Sequence, residues 1–188
     1  NLKTVIATRD TVDPTLVRFT FTHTFADDHP ATATASDVLN LRVSVADDDS
    51  GLIEVEPGIN VVDVAPTASA SPTTQDVQYS DSMATLTFTA TDVAGYTIAG
   101  ARTESLSAAT RFQLNGGAWQ AGLPADFAFT PGSCSITGTA GSARRSCTWT
   151  VGGRANVAPG TYTIEFRVTD DDTLSTVTTA DIVVKPGQ

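Results

Sequence analysis

The chain has 188 residues, of which 21 are acidic and 11 are basic, so its formal net charge is −10. Such a chain is repelled by phosphate backbones and anionic membrane surfaces, so we expect neither nucleic acid nor lipid as a partner. Its hydrophobic fraction of 40% suffices for a packed core. No apolar run approaches the about 20 residues of a membrane-spanning helix, so we expect no membrane insertion. The chain opens without the charged and apolar regions of a signal sequence, and we expect it to begin after processing or trimming.

Apolar and polar residues alternate in four segments, at 17–25, 39–45, 84–91 and 162–169. A period of two places successive side chains on opposite faces of a strand, so each segment predicts a strand with one apolar face. In the first segment, the face that carries Phe19 is expected to be buried. The 31 threonines suit the opposite, solvent-facing side. Several such strands separated by turns predict antiparallel sheets in an all-β sandwich.

An internal repeat divides the chain. A run of three aspartates begins at Asp47 and again at Asp170, which is 123 residues later (170 − 47). Each run is followed by a strand-like segment that ends in a proline, Pro66 and then Pro186. The repeat therefore predicts two modules, residues 1–65 and 66–188. Because an immunoglobulin-type sandwich needs seven strands and about 100 residues, the first module is either truncated or completed by something else.

Several segments resemble PKD domains. The residues His-Thr-Phe-Ala-Asp-Asp at 23–28, the segment 41–51 with its alternating strand and Asp-Asp-Asp turn, and the closing Val-Ala-Pro-Thr within 61–67 resemble the second half of that family. The segment 160–172 resembles bacterial Ig-like and PKD-like repeats. The resemblance implies tandem antiparallel Ig-like (PKD-like) β-sandwiches in a secreted or cell-surface bacterial protein. It also implies spacing, adhesion or assembly as the function, and other domains of the same protein or neighbouring copies as partners.

The two cysteines predict a disulfide. Cys134 and Cys147 flank a small-residue turn at 140–143, and a hairpin centred there places them opposite each other. Directly opposed residues in an antiparallel pair have Cβ atoms close enough for a bridge. The alternative is a pair of reduced, partly buried thiols. A disulfide indicates an oxidising, extracytoplasmic compartment, and two cysteines alone do not predict a zinc site.

The sequence contains no catalytic motif that we can identify, so we predict no catalytic residues and no enzyme activity. His23 falls on the apolar face of its strand and is interpreted as a hydrogen-bonded core or edge residue. His29 precedes a proline and is interpreted as solvated. A metal site formed by these histidines with Asp27 and Asp28 is the alternative.

The aromatic residues are candidates for ligand binding. The segment 114–119 predicts a hairpin with an Asn-Gly turn. Trp119 follows that turn, and it either fills the core beneath the hairpin or offers an exposed platform for a sugar ring. An exposed row of Trp119 with Tyr79 or Tyr96 favours the sugar platform. Tyr162 lies where a tyrosine corner occurs in immunoglobulin-like domains, and is interpreted as structural.

Aspartates carry the sharpest chemical prediction. Asp is a common turn residue, so the two runs are either solvated turns or Ca²⁺ ligands whose mutual repulsion a cation offsets. Strands that end at 91 and 169 are expected to bring their following aspartates to one pole of the second module, beside Asp63 and facing the first module. The Ca²⁺ candidates are Asp27, Asp28, Asp47, Asp48, Asp49, Asp63, Asp92, Asp170, Asp171 and Asp172.

Two functions are therefore expected from the sequence. The leading one is a non-catalytic, extracellular Ig-like segment whose module junction is made rigid by Ca²⁺. The alternative is a carbohydrate-binding accessory module of a secreted hydrolase, with Trp119 as its weakly indicated ligand residue.

Overall fold

The computed structural model describes residues 6–13, 17–20, 22, 25, 34–46, 49–93, 95–96, 102–103, 105–139 and 143–187. The regular elements in these ranges are all β-strands, which confirms the predicted all-β class. Within the same ranges, no helix has the length and apolar character needed to cross a membrane.

The strands before residue 63 form small sheets. They are β1 (Ile6–Arg9), β2 (Val17–Thr20), β3 (Ser36–Asn40), β4 (Val43–Ala46), β5 (Leu52–Val55) and β6 (Gly58–Val62). They pair antiparallel in three two-stranded sheets, β1 with β2, β3 with β6, and β4 with β5. A two-stranded sheet is marginally stable by itself, because it has little opposing surface to bury.

The strands after Pro66 form two larger sheets. They are β7 (Thr67–Ser71), β8 (Thr74–Gln78), β9 (Leu86–Val93), β10 (Gly95–Tyr96), β11 (Arg102–Thr103), β12 (Ser107–Leu114), β13 (Gln120–Ala121), β14 (Phe127–Thr137), β15 (Arg144–Gly153), β16 (Gly160–Thr169) and β17 (Ser175–Lys185). One sheet has the order β14-β15-β9-β7 and the other β13-β12-β16-β17-β8, and β10 pairs with β11. The pairs are antiparallel except β8 with β17, which run parallel.

One hydrophobic core joins the two larger sheets. Phe88 of the four-stranded sheet stacks on Phe166 of the five-stranded sheet, with their ring centroids 4.8 Å apart. Trp149 packs beside them at 5.2 Å from the Phe166 ring, and all three residues are buried. Because large aromatic side chains bury the most apolar area, this trio anchors the packing of the sheets.

Two predicted local features are present at the ends of the core. The Tyr162 hydroxyl donates to the Ala158 carbonyl at 2.9 Å, which is the hydrogen bond of a tyrosine corner. The predicted Asn-Gly turn joins β12 to β13. Asn115 and Gly116 both have positive φ, 49° and 72°, as a type I′ turn requires. These features fix the chain ends of β12 and β16 at the same pole.

The disulfide is present between β14 and β15. Cys134 and Cys147 are bonded and face each other in the strand register, as the hairpin geometry predicts. Cys147 is completely buried, so the bridge extends from the core to the edge strand β14. The turn residues 140–142 lie outside the described part of the chain.

The first part of the chain departs from the predicted pattern. The face of β2 that was expected to be buried is exposed, since Val17 is 48% and Phe19 47% accessible. The physical reason is that β2 pairs with β1 alone, and no second layer of the described chain covers this face.

The predicted strand 39–45 is likewise interrupted. Its two halves pair with different partners, β3 with β6 and β4 with β5. The break falls at Leu41, whose backbone N–H donates to the Pro57 carbonyl at 3.0 Å rather than to a strand ladder. Continuous alternation over seven residues therefore spans a change of sheet partner, which periodicity alone does not reveal.

Candidate cation-binding site

Asp92 lies on the core-facing side of β9. The buried face of this strand contains Leu86, Phe88 and Ala90, and the same period of two places Asp92 next in line. The predicted strand ended at residue 91, with Asp92 following it. In the structure the strand continues to Val93, so Asp92 lies within it. The residue is only 2% exposed. A carboxylate is thereby placed at the end of the apolar core.

Asp170 lies directly after β16 and shapes the turn that follows. Its Oδ1 accepts a hydrogen bond from the Leu174 backbone N–H at 2.8 Å, and its own N–H donates to the Leu174 carbonyl at 3.1 Å. This is the turn-forming role that aspartate commonly has. The second oxygen, Oδ2, is buried and has no hydrogen-bond partner. Turn formation therefore accounts for only one of the two carboxylate oxygens.

Burial and like charge act together on these carboxylates. Burial has the largest effect on Asp92 and raises its pKa. The charges of Asp170, Asp63 and Asp171 raise the pKa further. A hydrogen bond from the Val93 N–H opposes them, and the resulting pKa is about 7. Burial, followed by the charge of Asp63, likewise raises the pKa of Asp170 to about 6. Asp63, which precedes β7, is therefore close enough to Asp92 and Asp170 for its charge to act on both.

The cluster contains carboxylate oxygens that the fold leaves unsatisfied. Asp92 Oδ1 accepts from the Val93 N–H at 2.7 Å, but Asp92 Oδ2 is buried without a hydrogen-bond partner, as is Asp170 Oδ2. Arg145 stands opposite Asp92 in the β15–β9 register. No ion pair or hydrogen bond joins the two in the described contacts, and Arg145 Nε is itself buried without a partner. Unsatisfied buried carboxylates of this kind are costly unless something neutralises them.

The remaining acidic candidates differ in position. Asp172 is buried beside Asp170, and Asp171 is partly exposed, with its Oδ1 3.5 Å from the Ser105 N–H. Asp49 lies in an exposed turn after β4. The candidates that lie outside the described residues are Asp27, Asp28, Asp47 and Asp48, together with His23 and His29. The structure thus brings together Asp63, Asp92, Asp170 and Asp171, four of the ten predicted Ca²⁺ ligands.

The donor set fits a hard cation, although it does not form a finished centre. No three His, Cys, Asp or Glu side chains in the described ranges are already arranged around one metal position. Ca²⁺ takes six to eight oxygens at about 2.3–2.6 Å, from carboxylates, backbone carbonyls and water. The two unpartnered carboxylate oxygens are ligands of that chemistry. Binding would require the carboxylates to close around the ion, with carbonyls and water completing the shell.

Trp119 lies outside the core. It is 38% exposed, so the interpretation that it fills the core beneath the hairpin is wrong. Tyr79 is also exposed, whereas the side chain of Tyr96 is not among those described. The Arg111 guanidinium lies 4.5 Å from the Trp119 ring centroid, and it forms two hydrogen bonds to Glu165 that raise the pKa of Arg111.

The Arg111–Glu165 pair was not predicted from the sequence. The two residues face each other across β12 and β16, although they are 54 residues apart in the sequence. Opposite charges at outward positions of two strands would have suggested the pair, but only once the strands were known to be neighbours and their register was fixed.

Comparisons with known proteins do not assign a family. No family model matches the chain, and no curated protein matches it. Among solved structures, a family 123 glycoside hydrolase from Clostridium perfringens, studied for glycolipid glycan hydrolysis, is similar with 11% identity and a TM-score of 0.43. The alignment covers 65% of this chain and 28% of that chain. The present chain therefore spans less than a third of that enzyme, and the likeness carries no argument about function.

Proposed function

We propose that this chain is a non-catalytic, extracellular segment of a bacterial secreted or cell-surface protein. In this proposal it consists of tandem Ig-like (PKD-like) β-sandwich modules that serve in spacing, adhesion or assembly, and Ca²⁺ binds at the aspartate cluster. Its partners are other domains of the same protein or neighbouring copies of it.

The order of the strands after Pro66 supports an immunoglobulin-like module. In that fold, one sheet has the order D-E-B-A and the other contains C, F and G as neighbours. The sheet β14-β15-β9-β7 corresponds to the first, and β12-β16-β17 to the second. The tyrosine corner at Tyr162 supports the same assignment.

The observation that carries the Ca²⁺ part of the proposal is the pair of unsatisfied oxygens. Asp92 and Asp170 are 2% and 9% exposed, and each has a buried Oδ2 atom without a hydrogen-bond partner. Burial raises the pKa of both carboxylates, and the charge of Asp63 raises both further. A divalent cation would neutralise this repulsion and supply ligand bonds to the two oxygens.

The position of the cluster suggests what binding would accomplish. Asp63 belongs to the segment that leads into β7, whereas Asp92 and Asp170 belong to strand ends of the following module. Carboxylates from both sides that share one ion would hold the segment at a fixed angle to the module. Without the ion, their mutual repulsion would favour separation. The role of these residues is therefore to fix a junction mechanically.

The disulfide supports an extracellular location. Bonds such as Cys134–Cys147 persist in oxidising compartments. Calcium sites in extracellular modules commonly have dissociation constants of about 0.1–1 mM, which match the calcium available there. A site assembled from a few partly preorganised carboxylates belongs in that range.

Small-angle X-ray scattering of the full chain tests the proposed junction. We expect millimolar Ca²⁺ to reduce the spread of molecular dimensions compared with the protein in EDTA. Asp92→Asn should remove the effect, whereas Asp81→Asn, which changes an exposed acid in a turn, should retain it. Identical scattering in Ca²⁺ and EDTA would contradict the proposal.

A further inference from the structure

A cleft of about 320 Å³ lies on the five-stranded sheet beside Trp119. The residues that line it include Ala109, Arg111, Trp119, Ala121, Glu165 and Arg167. It is separate from the aspartate cluster, and none of these residues takes part in the proposed junction. Its volume is at the small end of the range for small-molecule sites, about 300–1,000 Å³.

One wall of the cleft is the indole ring of Trp119, which packs against Arg111. The Arg111 guanidinium lies 4.5 Å from the centroid of the Trp119 ring. Arg111 is itself held by two hydrogen bonds to Glu165, from Nε at 2.8 Å and from Nη2 at 2.7 Å. Because Glu165 is buried, this ion pair is fixed in the sheet. The indole is therefore preorganised, which lowers the entropy cost of stacking a ligand on it.

The floor of the cleft is made of small side chains. Ala121 lies opposite Arg111 across β12 and β13, and Ala109 lies opposite Arg167 across β12 and β16. Arg167 therefore lies diagonally across the strand pair from Arg111, with their Cα atoms about 7–8 Å apart. The small side chains of Ala109 and Ala121 leave the cleft open above this part of the sheet.

The far rim of the cleft carries the guanidinium of Arg167, which forms only a long ion pair with Glu165. Arg167 Nη2 is 4.0 Å from Glu165 Oε1, which exceeds hydrogen-bond distance, and the Arg167 side chain is 50% exposed. The two arginines face one glutamate, so the cleft has a local charge of +1 in a chain of net charge −10. The N–H groups of Arg167 can therefore donate hydrogen bonds to an anionic ligand.

We propose that this cleft binds an acidic sugar residue, a uronate unit of a polysaccharide. A pyranose ring has an apolar C–H face, which would stack on the indole of Trp119, and a polar edge. A carboxylate on that edge would accept hydrogen bonds from Arg167, because guanidinium groups match carboxylates in geometry and charge. A neutral sugar would still stack on the Trp119 indole, but it would offer no anion to the Arg167 guanidinium. This inference does not depend on the Ca²⁺ junction.

Isothermal titration calorimetry of the full chain tests the site, with oligogalacturonates and oligoalginates as the probes. Their carboxyl-reduced, neutral counterparts are the matched ligands. We expect at least one acidic probe to bind with a dissociation constant of about 1 mM or lower. Trp119→Ala should weaken binding by about tenfold or more. Arg167→Gln should weaken acidic probes by about tenfold and leave neutral ones unchanged. Arg154→Gln removes the same charge from an exposed bridge residue elsewhere and should have no effect.

Several results would overturn the assignment. Absence of binding by every acidic probe at 10 mM would do so, and so would binding that Trp119→Ala leaves intact. Equal affinity for acidic and carboxyl-reduced probes would show that no anion is recognised. Tighter binding of an acidic peptide than of any uronate, lost in Arg167→Gln, would assign the cleft to a protein partner instead. Because Trp119 lies outside the core, circular dichroism should show that its variant remains folded.

Discussion

Burial, and after it the charge of Asp170, raises the pKa of Asp92 to about 7, although 78 residues (170 − 92) separate the two aspartates in the chain. This electrostatic influence arises because Asp92 lies at the end of β9 and Asp170 directly after β16. Each residue also has a buried Oδ2 without a hydrogen-bond partner. The fold therefore concentrates negative charge where a cation, or protonation, relieves it.

The variant Asp92→Asn should show two effects of the buried charge, namely that it destabilises the metal-free fold and that it contributes to stabilisation by Ca²⁺. In EDTA at pH 8, the variant should have a higher free energy of unfolding than the native chain, by about 1–2 kcal/mol, because it removes a buried carboxylate that its neighbours repel. In Ca²⁺ the order should reverse. Urea denaturation measures both, and Asp81→Asn is the control for loss of an exposed acid. If Asp92→Asn is destabilising in both buffers, the charge is not a liability in the metal-free fold.

The stability of the metal-free protein should fall as the pH rises. An acid whose pKa is higher in the folded state binds more protons when folded, so its stabilising contribution is complete below its unfolded pKa of about 3.9 and is lost as the pH passes its folded value. For Asp92 and Asp170 that window extends to about pH 7 and about pH 6. After allowance for solvent screening, the decrease from pH 5 to pH 8 should be about 2 kcal/mol.

Urea denaturation in EDTA at pH 5, 6, 7 and 8 measures this slope. The charged groups that face Asp92 are Asp63, Asp170 and Asp171, with Arg145 opposite it in the register. Asp92→Asn should flatten the profile. A free energy of unfolding that stays constant or rises over this range would contradict the proposed burial of unneutralised carboxylates.

The proximity of Asp92 and Asp170 could be predicted from the sequence because it follows from the directions of the strands that precede them. Alternation located the strands that precede Asp92 and Asp170, and sandwich topology then implied a shared pole. The burial of Asp92 was not predicted, because the period of two does not indicate whether a strand stops before a polar residue or includes it. For the same reason, the exposure of Phe19 was unforeseen. An apolar face indicates that burial is favourable, but not that a covering layer exists.

Loss of the disulfide should destabilise the protein by about 3 kcal/mol in the chain-entropy model, given the 13-residue separation of the cysteines. Mass spectrometry after alkylation without reductant should find no modified cysteine, and the reduced protein should unfold at lower urea concentration. Two alkylatable thiols in the folded, unreduced protein would contradict the bridge.

Truncation of apolar residues should have very different costs in the two parts of the chain. Phe88→Ala removes a fully buried ring that stacks on Phe166, and should cost about 3–5 kcal/mol. Ile53→Ala changes a residue that is 66% exposed, and should change the free energy of unfolding by no more than about 0.5 kcal/mol. Urea denaturation compares the two. A cost for Ile53→Ala close to that of Phe88→Ala would mean that another layer covers β5 in solution.

Only part of the cleft at Trp119 could be predicted from the sequence. The Asn-Gly turn placed Trp119 after a hairpin turn, but the sequence left open whether its side chain fills the core or is exposed. Its ring lies against the guanidinium of Arg111, which meets Glu165 through the long-range pairing of β12 with β16. Pairing between distant strands is not encoded in local periodicity, so the ion pair that positions the indole was not predicted.

The most direct test of the Ca²⁺ junction is the thermal denaturation curve of the full chain in millimolar Ca²⁺ compared with EDTA. At about tenfold excess over its dissociation constant, a ligand that binds only the folded state stabilises it by about 1.4 kcal/mol. For a protein of this size, that corresponds to a rise in melting temperature of about 3–6 °C. We predict this rise, and we predict that Asp92→Asn combined with Asp170→Asn removes most of it. Superimposable curves in Ca²⁺ and EDTA would contradict it, and the aspartates would then be turn residues alone.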